Sequence, residues 1–248
     1  MGLPKIAVPE YSLTLPSTGE ELKYRPFLVK EEKLLLIAME SEDEIQIAAA
    51  TKNVIKNCIF EDINVDKLPV FDIEYIFLWL RARSKGEVIE LKYKCPDCKG
   101  AIPVIFNVED VKVHKNNEEH DGKIELTDNV GVVLKYPTLD TAEVKKGEDD
   151  SEVDILIQTI LLSIDYIYDE DKMYSSKDHT TQEMTDFLES LNDEQFQKMG
   201  KFFESMPKLR HDVVLECKNK VKGEGKKKDK VCGYKEDLVL EGLSSFFE

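Results

Sequence analysis

The residues whose type and spacing could do chemistry in this chain are its cysteines: Cys58, Cys95, Cys98, Cys217 and Cys232. Cys95-Pro-Asp-Cys98 places two thiols two residues apart, with Lys99-Gly100 directly after. At that spacing the chain turns tightly, both sulfurs point inward and backbone N–H groups face them, which is half of a tetrahedral metal site. The other half must come from Cys217 and Cys232-Gly233, because Cys58 falls on the apolar stripe of a helical pattern and reads as a small core residue. The second pair is irregular, with fourteen residues between its cysteines, most of them a Lys/Gly-rich stretch. Strand-like patterns flank both cysteines, so the expectation is a knuckle with a loop inserted into it. The entropy of closing a loop grows only slowly with its length, whereas a structural zinc contributes on the order of 10 kcal/mol or more. The alternative is four reduced thiols side by side without metal.

Four protein thiolates leave no open position for water, so zinc held by Cys95, Cys98, Cys217 and Cys232 would be structural. Deaminase-type chemistry needs a His-x-Glu near the first pair, and there is none. A thiol oxidoreductase wants its pair at the start of a helix after a parallel strand, but here alternating strand follows. The histidines, His114, His120, His179 and His211, lie in loops or at a strand start, outside any Ser/His/Asp or Cys/His arrangement, and are expected to be solvated. Gly223-Glu-Gly225 lies among lysines and reads as linker, not as a phosphate loop. A non-enzymatic protein with no catalytic residues and no small-molecule substrate is expected.

The elements that would position the cysteines follow from periodicity. Tyr11 to Leu15 and Glu21 to Arg25 alternate around Pro16-Ser-Thr-Gly19, a hairpin. Lys30 to Met39 is helix-like, with an apolar cluster at Leu34 to Ile37. Ser41 to Glu44 reads as a capping box opening a helix with Ile45, Ala48, Ala49, Ile55, Cys58 and Ile59 on one stripe. After Asp66-Lys-Leu-Pro69, the stretch Val70 to Arg83 is apolar nearly all round and predicts a deeply buried helix ending at Gly86. Glu87 to Lys94 and Ala101 to Val108 form a hairpin with the first cysteine pair at its tip. Lys123 to Tyr136 holds one or two more strands. Beyond the charged linker Lys145 to Asp150, Ser151 caps a helix carrying Val153, Ile155, Leu156, Ile157, Ile160, Leu161, Ile164 and Ile167, again apolar enough to predict deep burial. Lys172 to His179 reads as a loop, and helices follow from Thr181 and from Asn192 to Pro207. His211 to Cys217 and Glu236 to Leu240 return to strand. Phe246 and Phe247 are expected to dock onto the fold or a neighbour. The fold class is therefore α+β: a zinc-ribbon-like antiparallel β element with helices packed on it and a helical insertion between its two halves. The expected units are 1–86, then 87–136 with 208–248, and 150–207.

Composition bounds the function. The chain has 248 residues, 42% apolar, with no run of bilayer length. Met1 to Pro9 lacks the pattern of a secretory signal, and five cysteines in this length do not resemble a disulfide framework, so a reducing cytoplasm is expected. The formal charge of −16 opposes non-specific nucleic-acid binding. Against it, Lys218 to Lys230 holds seven lysines beside Glu224 and Asp229, so a zinc-ribbon adaptor touching nucleic acid or a transcription complex through 218–230 is the second reading.

Several segments together resemble a known family: Pro16-Ser-Thr-Gly19, Tyr24-Arg-Pro-Phe-Leu-Val-Lys-Glu-Glu-Lys-Leu-Leu-Leu36, Phe71-Asp-Ile-Glu-Tyr-Ile-Phe-Leu-Trp-Leu-Arg-Ala-Arg-Ser84, and the closing Glu241-Gly-Leu-Ser-Ser-Phe-Phe247 after a Cys-Gly. The chain is similar to the T4-type baseplate proteins of contractile-tailed phages, in the hub subunit or hub-assembly group. The likeness runs through most of the chain and is strongest in the first hundred residues. It implies a non-enzymatic hub protein or hub-assembly chaperone, made in the host cytoplasm and placed at the tail baseplate of the virion. Its partners would be other baseplate hub and tail proteins, with self-association as a further expectation. The family supplies no catalytic residues, and the lysine-rich insertion between Cys217 and Cys232 departs from it.

Overall fold

The computed structural model describes residues 6–114, 120–142, 151–221, 230–242 and 245. Strands β1 (Tyr11–Thr14) and β2 (Glu21–Tyr24) pair antiparallel, Tyr11 opposite Tyr24. The turn between them needs the left-handed backbone of Gly19, at φ 74°. Leu13, Leu15, Leu22 and Tyr24 face inward, as the alternation predicts. Helix α1 (Val29–Glu40) forms over the expected segment, and only Glu31 and Ala38 are buried in it. Leu34, Leu36 and Ile37 of the apolar cluster are 43–53% exposed. The face that packs runs through Glu31, Leu35 and Ala38, one helical stripe, and the other three residues of the cluster point away from it. Helix α2 (Glu44–Cys58) is capped by Asp43, whose carboxylate accepts from Ile45 N at 2.9 Å, while Ser41 donates back to Ala38 O and closes α1. That replaces the expected Ser41 cap. Cys58 is fully buried, as a core residue.

Helix α3 (Val70–Lys85) organises the molecule. One side, through Ile73, Ile76, Phe77 and Leu80, joins the core of the β1–β2 hairpin and α2. The other, through Leu78 and Ala82, joins the core beneath the cysteines. Tyr75 and Trp79 touch both, which is why the sequence is apolar nearly all round. Buried Asp72 accepts hydrogen bonds from the Ser17 N–H and hydroxyl, tying the hairpin turn to the first turn of α3. Gly86 ends the helix at φ 112°. Strands β3 (Val88–Lys94) and β4 (Ala101–Asn107) then form the expected hairpin, Lys94 opposite Ala101 at its tip, and β5 (Lys112–His114) follows.

The next stretch makes a separate core. Strands β6 (Lys123–Glu125) and β7 (Gly131–Leu134) precede the short helix α4 (Leu139–Ala142) and helix α5 (Glu152–Ser163), which Ser151 caps with Asp154. Here α5 stops at Ser163, and Ile164 and Ile167 belong to β8 (Ile164–Tyr168), paired with β7. Ile164-Asp-Tyr-Ile-Tyr168 is β-branched and aromatic at every second position or better, and strand pairing with β7 outweighs continuation of the helix. Deep burial of α5 is also not found: Ile160 is fully buried, but Val153, Leu156 and Leu162 are 37–60% exposed. The expected loop from Lys172 contains β9 (Met173–Ser175), completing an antiparallel sheet in the order β6-β7-β8-β9. Gly131 is required there, because a Cβ would sit 2.2 Å from the Tyr168 hydroxyl. Helices α6 (Thr181–Glu189) and α7 (Asp193–Ser205), capped by Thr180 and Asn192, pack on this sheet through Met184, Leu188, Met199 and Phe202. The segment 150–207 is thus helix plus strand, sharing a sheet with residues 123–134. The linker Lys145 to Asp150 lies outside the described residues.

Strand β10 (Lys208–Glu216) returns to the core beneath the cysteines, followed by β11 (Lys220–Val221), β12 (Lys230–Val231) and β13 (Lys235–Glu241). β10 lies between β13 and β5, both antiparallel to it. Ile89, Leu91, Ile102, Val104 and Phe106 of the β3–β4 hairpin pack with Leu209, Val213, Leu215 and Leu240 of this sheet. The fold is α+β.

Candidate metal centre

The structure brings Cys95, Cys98, Cys217 and Cys232 together at the end of that shared core, all four sulfurs within 4.8 Å of one another. Cys98 and Cys217 Sγ are 3.5 Å apart, and Cys95 and Cys232 Sγ 3.8 Å. Zn–S bonds of about 2.3 Å arranged tetrahedrally require S···S edges of about 3.8 Å, so the donor set fits a four-coordinate cation. Cys95 and Cys217 are fully buried, the other two half-buried.

The two half-sites are built alike. In the first, Cys95 N donates to Gly100 O at 2.8 Å and Lys99 N donates to Cys95 O at 3.0 Å. In the second, Cys217 N donates to Tyr234 O at 2.8 Å and Gly233 N donates to Cys217 O at 3.1 Å. Lys99 and Gly233, each following the second cysteine of its pair, are both left-handed, at φ 62° and 75°. The second half-site is therefore a knuckle in which residues 218–231 stand where Pro96-Asp97 stands in the first. Strands β11 and β12, with Lys220 opposite Val231 and Val221 opposite Lys230, make the base of the inserted hairpin.

Three of the thiols are shifted by their surroundings. The Gly100 N–H and the neighbouring sulfurs bring Cys98 down to about 7 against the pull of burial. The Tyr234 N–H lowers Cys232, yet burial and the other three sulfurs push it up to about 12. Burial likewise raises Cys217, opposed by the Asn219 N–H. Negative charge on the neighbouring sulfurs thus opposes ionisation of Cys232, and a cation among them would offset that repulsion. Cys58 lies in the other core, where burial pushes its thiol up to about 11.

The histidines differ from the expectation of uniform solvation. His120 is half-buried against the rings of Tyr136 and Phe202, with centroids 5.4 and 4.3 Å away, and those two rings also touch each other at 5.6 Å. Its Nδ1 meets the Tyr136 hydroxyl at 3.0 Å and its Nε2 meets Phe202 O at 2.9 Å. It lines a cleft of about 670 Å³, but with both nitrogens engaged it is a packing and hydrogen-bonding residue. His211 stacks on Phe106 at 4.5 Å. His114 and His179 are exposed. His120's partners are 16 and 82 residues away, so no local signal marks it. Sequence reasoning also missed Asn219, whose side chain lies against the sulfurs; its only signal is its position two residues after Cys217.

Mixed helices and small antiparallel sheets with a four-thiol cluster at one end define an α+β protein, and comparison with known families places it among phage structural proteins. The chain belongs to the T4 bacteriophage base plate protein family, whose model matches residues 8–248. No curated protein and no solved structure matches it.

Proposed function

We propose that this chain is a non-enzymatic structural or assembly protein of the hub of a contractile phage baseplate, carrying a structural zinc on Cys95, Cys98, Cys217 and Cys232 in a zinc-ribbon-like element. The family match along nearly the whole chain carries this reading. The four-sulfur geometry supports the metal. Binding to neighbouring tail proteins, or to further copies of itself, uses apolar surface such as the outer face of α1, where Val29, Leu36, Ile37 and Met39 are 50–81% exposed. Phe246 and Phe247, which share that role on sequence grounds, lie outside the described residues. No helix among the described residues is long and apolar enough to cross a membrane. Assembly takes place in the host cytoplasm, and the finished position is the tail baseplate. The division into 1–86, 87–136 with 208–248, and 150–207 stands as part of this reading, with the amendment that residues 123–134 associate with the third unit through their shared sheet.

Two measurements test it. A tagged chain expressed during infection should co-purify with baseplate or tail proteins; a lone monomer that captures none of them overturns the assembly role. Elemental analysis should find about one zinc per folded chain in the wild type and none in Cys217→Ser; absence of metal from the wild type overturns the zinc site. The second reading, nucleic-acid contact through 218–230, rests on its seven lysines, of which Lys220 and Lys230 stand at the base of the hairpin opposite Val231 and Val221. It predicts a strongly salt-dependent affinity for DNA or RNA that is lost with the loop.

A further inference from the structure

The inserted half-site contains a residue that a regular knuckle does not need. Asn219 is the second residue after Cys217, and its backbone is committed on both sides. Its N–H faces Cys217 Sγ, and its carbonyl accepts from Cys232 N at 2.9 Å. Its side-chain amide reaches across to the first half-site: Nδ2 lies 3.0 Å from Ala101 O, 3.2 Å from Cys217 Sγ and 3.8 Å from Cys98 Sγ. One carboxamide thus contacts a sulfur from each pair and the backbone of β4. It fits because residue 100 is glycine, where an added Cβ would stand 2.6 Å from Nδ2.

Four thiolates around a dication leave a net charge of −2, in surroundings that include two fully buried cysteines. N–H groups aimed at sulfur offset that charge, and the backbone supplies the same donor to both halves, from Gly100 to Cys98 and from Tyr234 to Cys232. The inserted hairpin separates Cys217 from Cys232 by fourteen residues, so chain connectivity no longer fixes their spacing as it does between Cys95 and Cys98. Asn219 restores that constraint. Its backbone carbonyl anchors Cys232, its side chain holds Cys217, and the contact with Ala101 O sets the second half-site against the first.

We propose that Asn219 is a positioning residue of the metal centre, a non-ligand N–H donor to Cys217 and Cys98 that lets a half-site with a hairpin spliced into it bind a dication as a regular one does. This rests on the metal reading above. Outer-shell donors of this kind are worth about 10–100-fold in metal affinity.

The test compares wild type with Asn219→Asp, which keeps the shape and removes the amide donors, and with Gly100→Ala, which leaves Asn219 in place and displaces its Nδ2. Zinc affinity is measured by competition with a chromophoric chelator on the folded chain. The sulfur-to-metal charge-transfer bands are recorded on the cobalt-loaded protein, since loss of an N–H···S contact moves their energy, and circular dichroism of the same samples checks that the fold is kept. The expected result is a zinc affinity about 10–100-fold weaker in both variants, with shifted bands. Wild-type affinity and unshifted bands in Gly100→Ala overturn the role of Asn219, even if Asn219→Asp fails to fold. If the wild type itself binds no metal, the zinc reading fails first and takes this inference with it; metal binding that is indifferent to both variants sinks the inference alone.

Discussion

Glu31 shows how much a single buried charge can organise. It is 1% exposed, receives Arg25 Nη2 at 2.9 Å and the Leu28 N–H at 2.8 Å, and so joins the exit of β2 to the first turn of α1. Burial alone would raise its carboxyl; the hydrogen bonds from Arg25, Leu28 and Lys30 outweigh it and hold the group below the ordinary value of 4.5. A depressed folded-state pKa contributes stability that is fully present above the unfolded value and lost as pH falls through the folded one. Glu31→Gln should therefore cost about 1–3 kcal/mol at pH 7, the range for a buried charged hydrogen bond. In urea unfolding at a series of pH values the gap from wild type should close below about pH 4.5. A gap unchanged down to pH 3 would mean that the carboxylate is not the source. At this scale the sequence was legible where chemistry is local. Cys95 and Cys98 announce themselves by spacing, and Cys217 and Cys232 by elimination and flanking strands. His120 and Asn219 do not, because their partners come from elsewhere in the chain or, for Asn219, from the far half-site, and Glu31 is buried although its partners Arg25, Leu28 and Lys30 are local.

Two helices with similar sequences ended in different surroundings, and the reason lies between elements. Both α3 and α5 read as apolar nearly all round; α3 is enclosed because it separates two cores, whereas α5 packs on one sheet and leaves Val153, Leu156 and Leu162 outside. Periodicity reports how much surface a helix could bury, not how many neighbours arrive to cover it. The same limit concealed β8, whose isoleucines continue a helical stripe until β7 is there to pair with them. The inserted hairpin is the clearest case of an element legible as a departure but not as a structure. Its base is two antiparallel pairs, and its metal-facing geometry resides in Cys217 to Asn219 and Cys232 to Tyr234. Replacing residues 222–229 by Asn-Gly, a two-residue turn suited to joining such strands, should leave metal stoichiometry and thermal stability unchanged while removing four of the loop's seven lysines. Loss of metal in that variant would show that the segment itself holds the site together. Retained metal with lost binding to tail proteins would instead assign the loop to a contact.

On the scale of the molecule, the four clustered cysteines close one of the three cores that the described residues form. The core under the thiol cluster joins β3–β4 to β13-β10-β5, bringing together segments more than a hundred residues apart, whereas the sheet β6-β7-β8-β9 with α5 to α7 has its own apolar interior and no cysteine. A structural zinc contributes about 10–16 kcal/mol of apparent binding energy, against a total stability of about 5–15 kcal/mol for a typical protein. Its removal should therefore unfold the core it closes and spare the one it does not touch. Trp79 is the only tryptophan, and it packs against both the metal-side core and the N-terminal core. Its emission consequently reports the first of these without interference from the third. Treating the reduced protein with a chelator stronger than the site should shift Trp79 emission to the red. Much of the helical circular dichroism should survive, and amides of β7, β8 and α7 should remain protected from hydrogen exchange. Protection lost everywhere at once would make the three cores a single cooperative unit. Unchanged emission in a chain shown to have lost its metal would place the stability of the β3–β4 and β10–β13 packing in its apolar contacts alone, and reduce the centre to a local clasp.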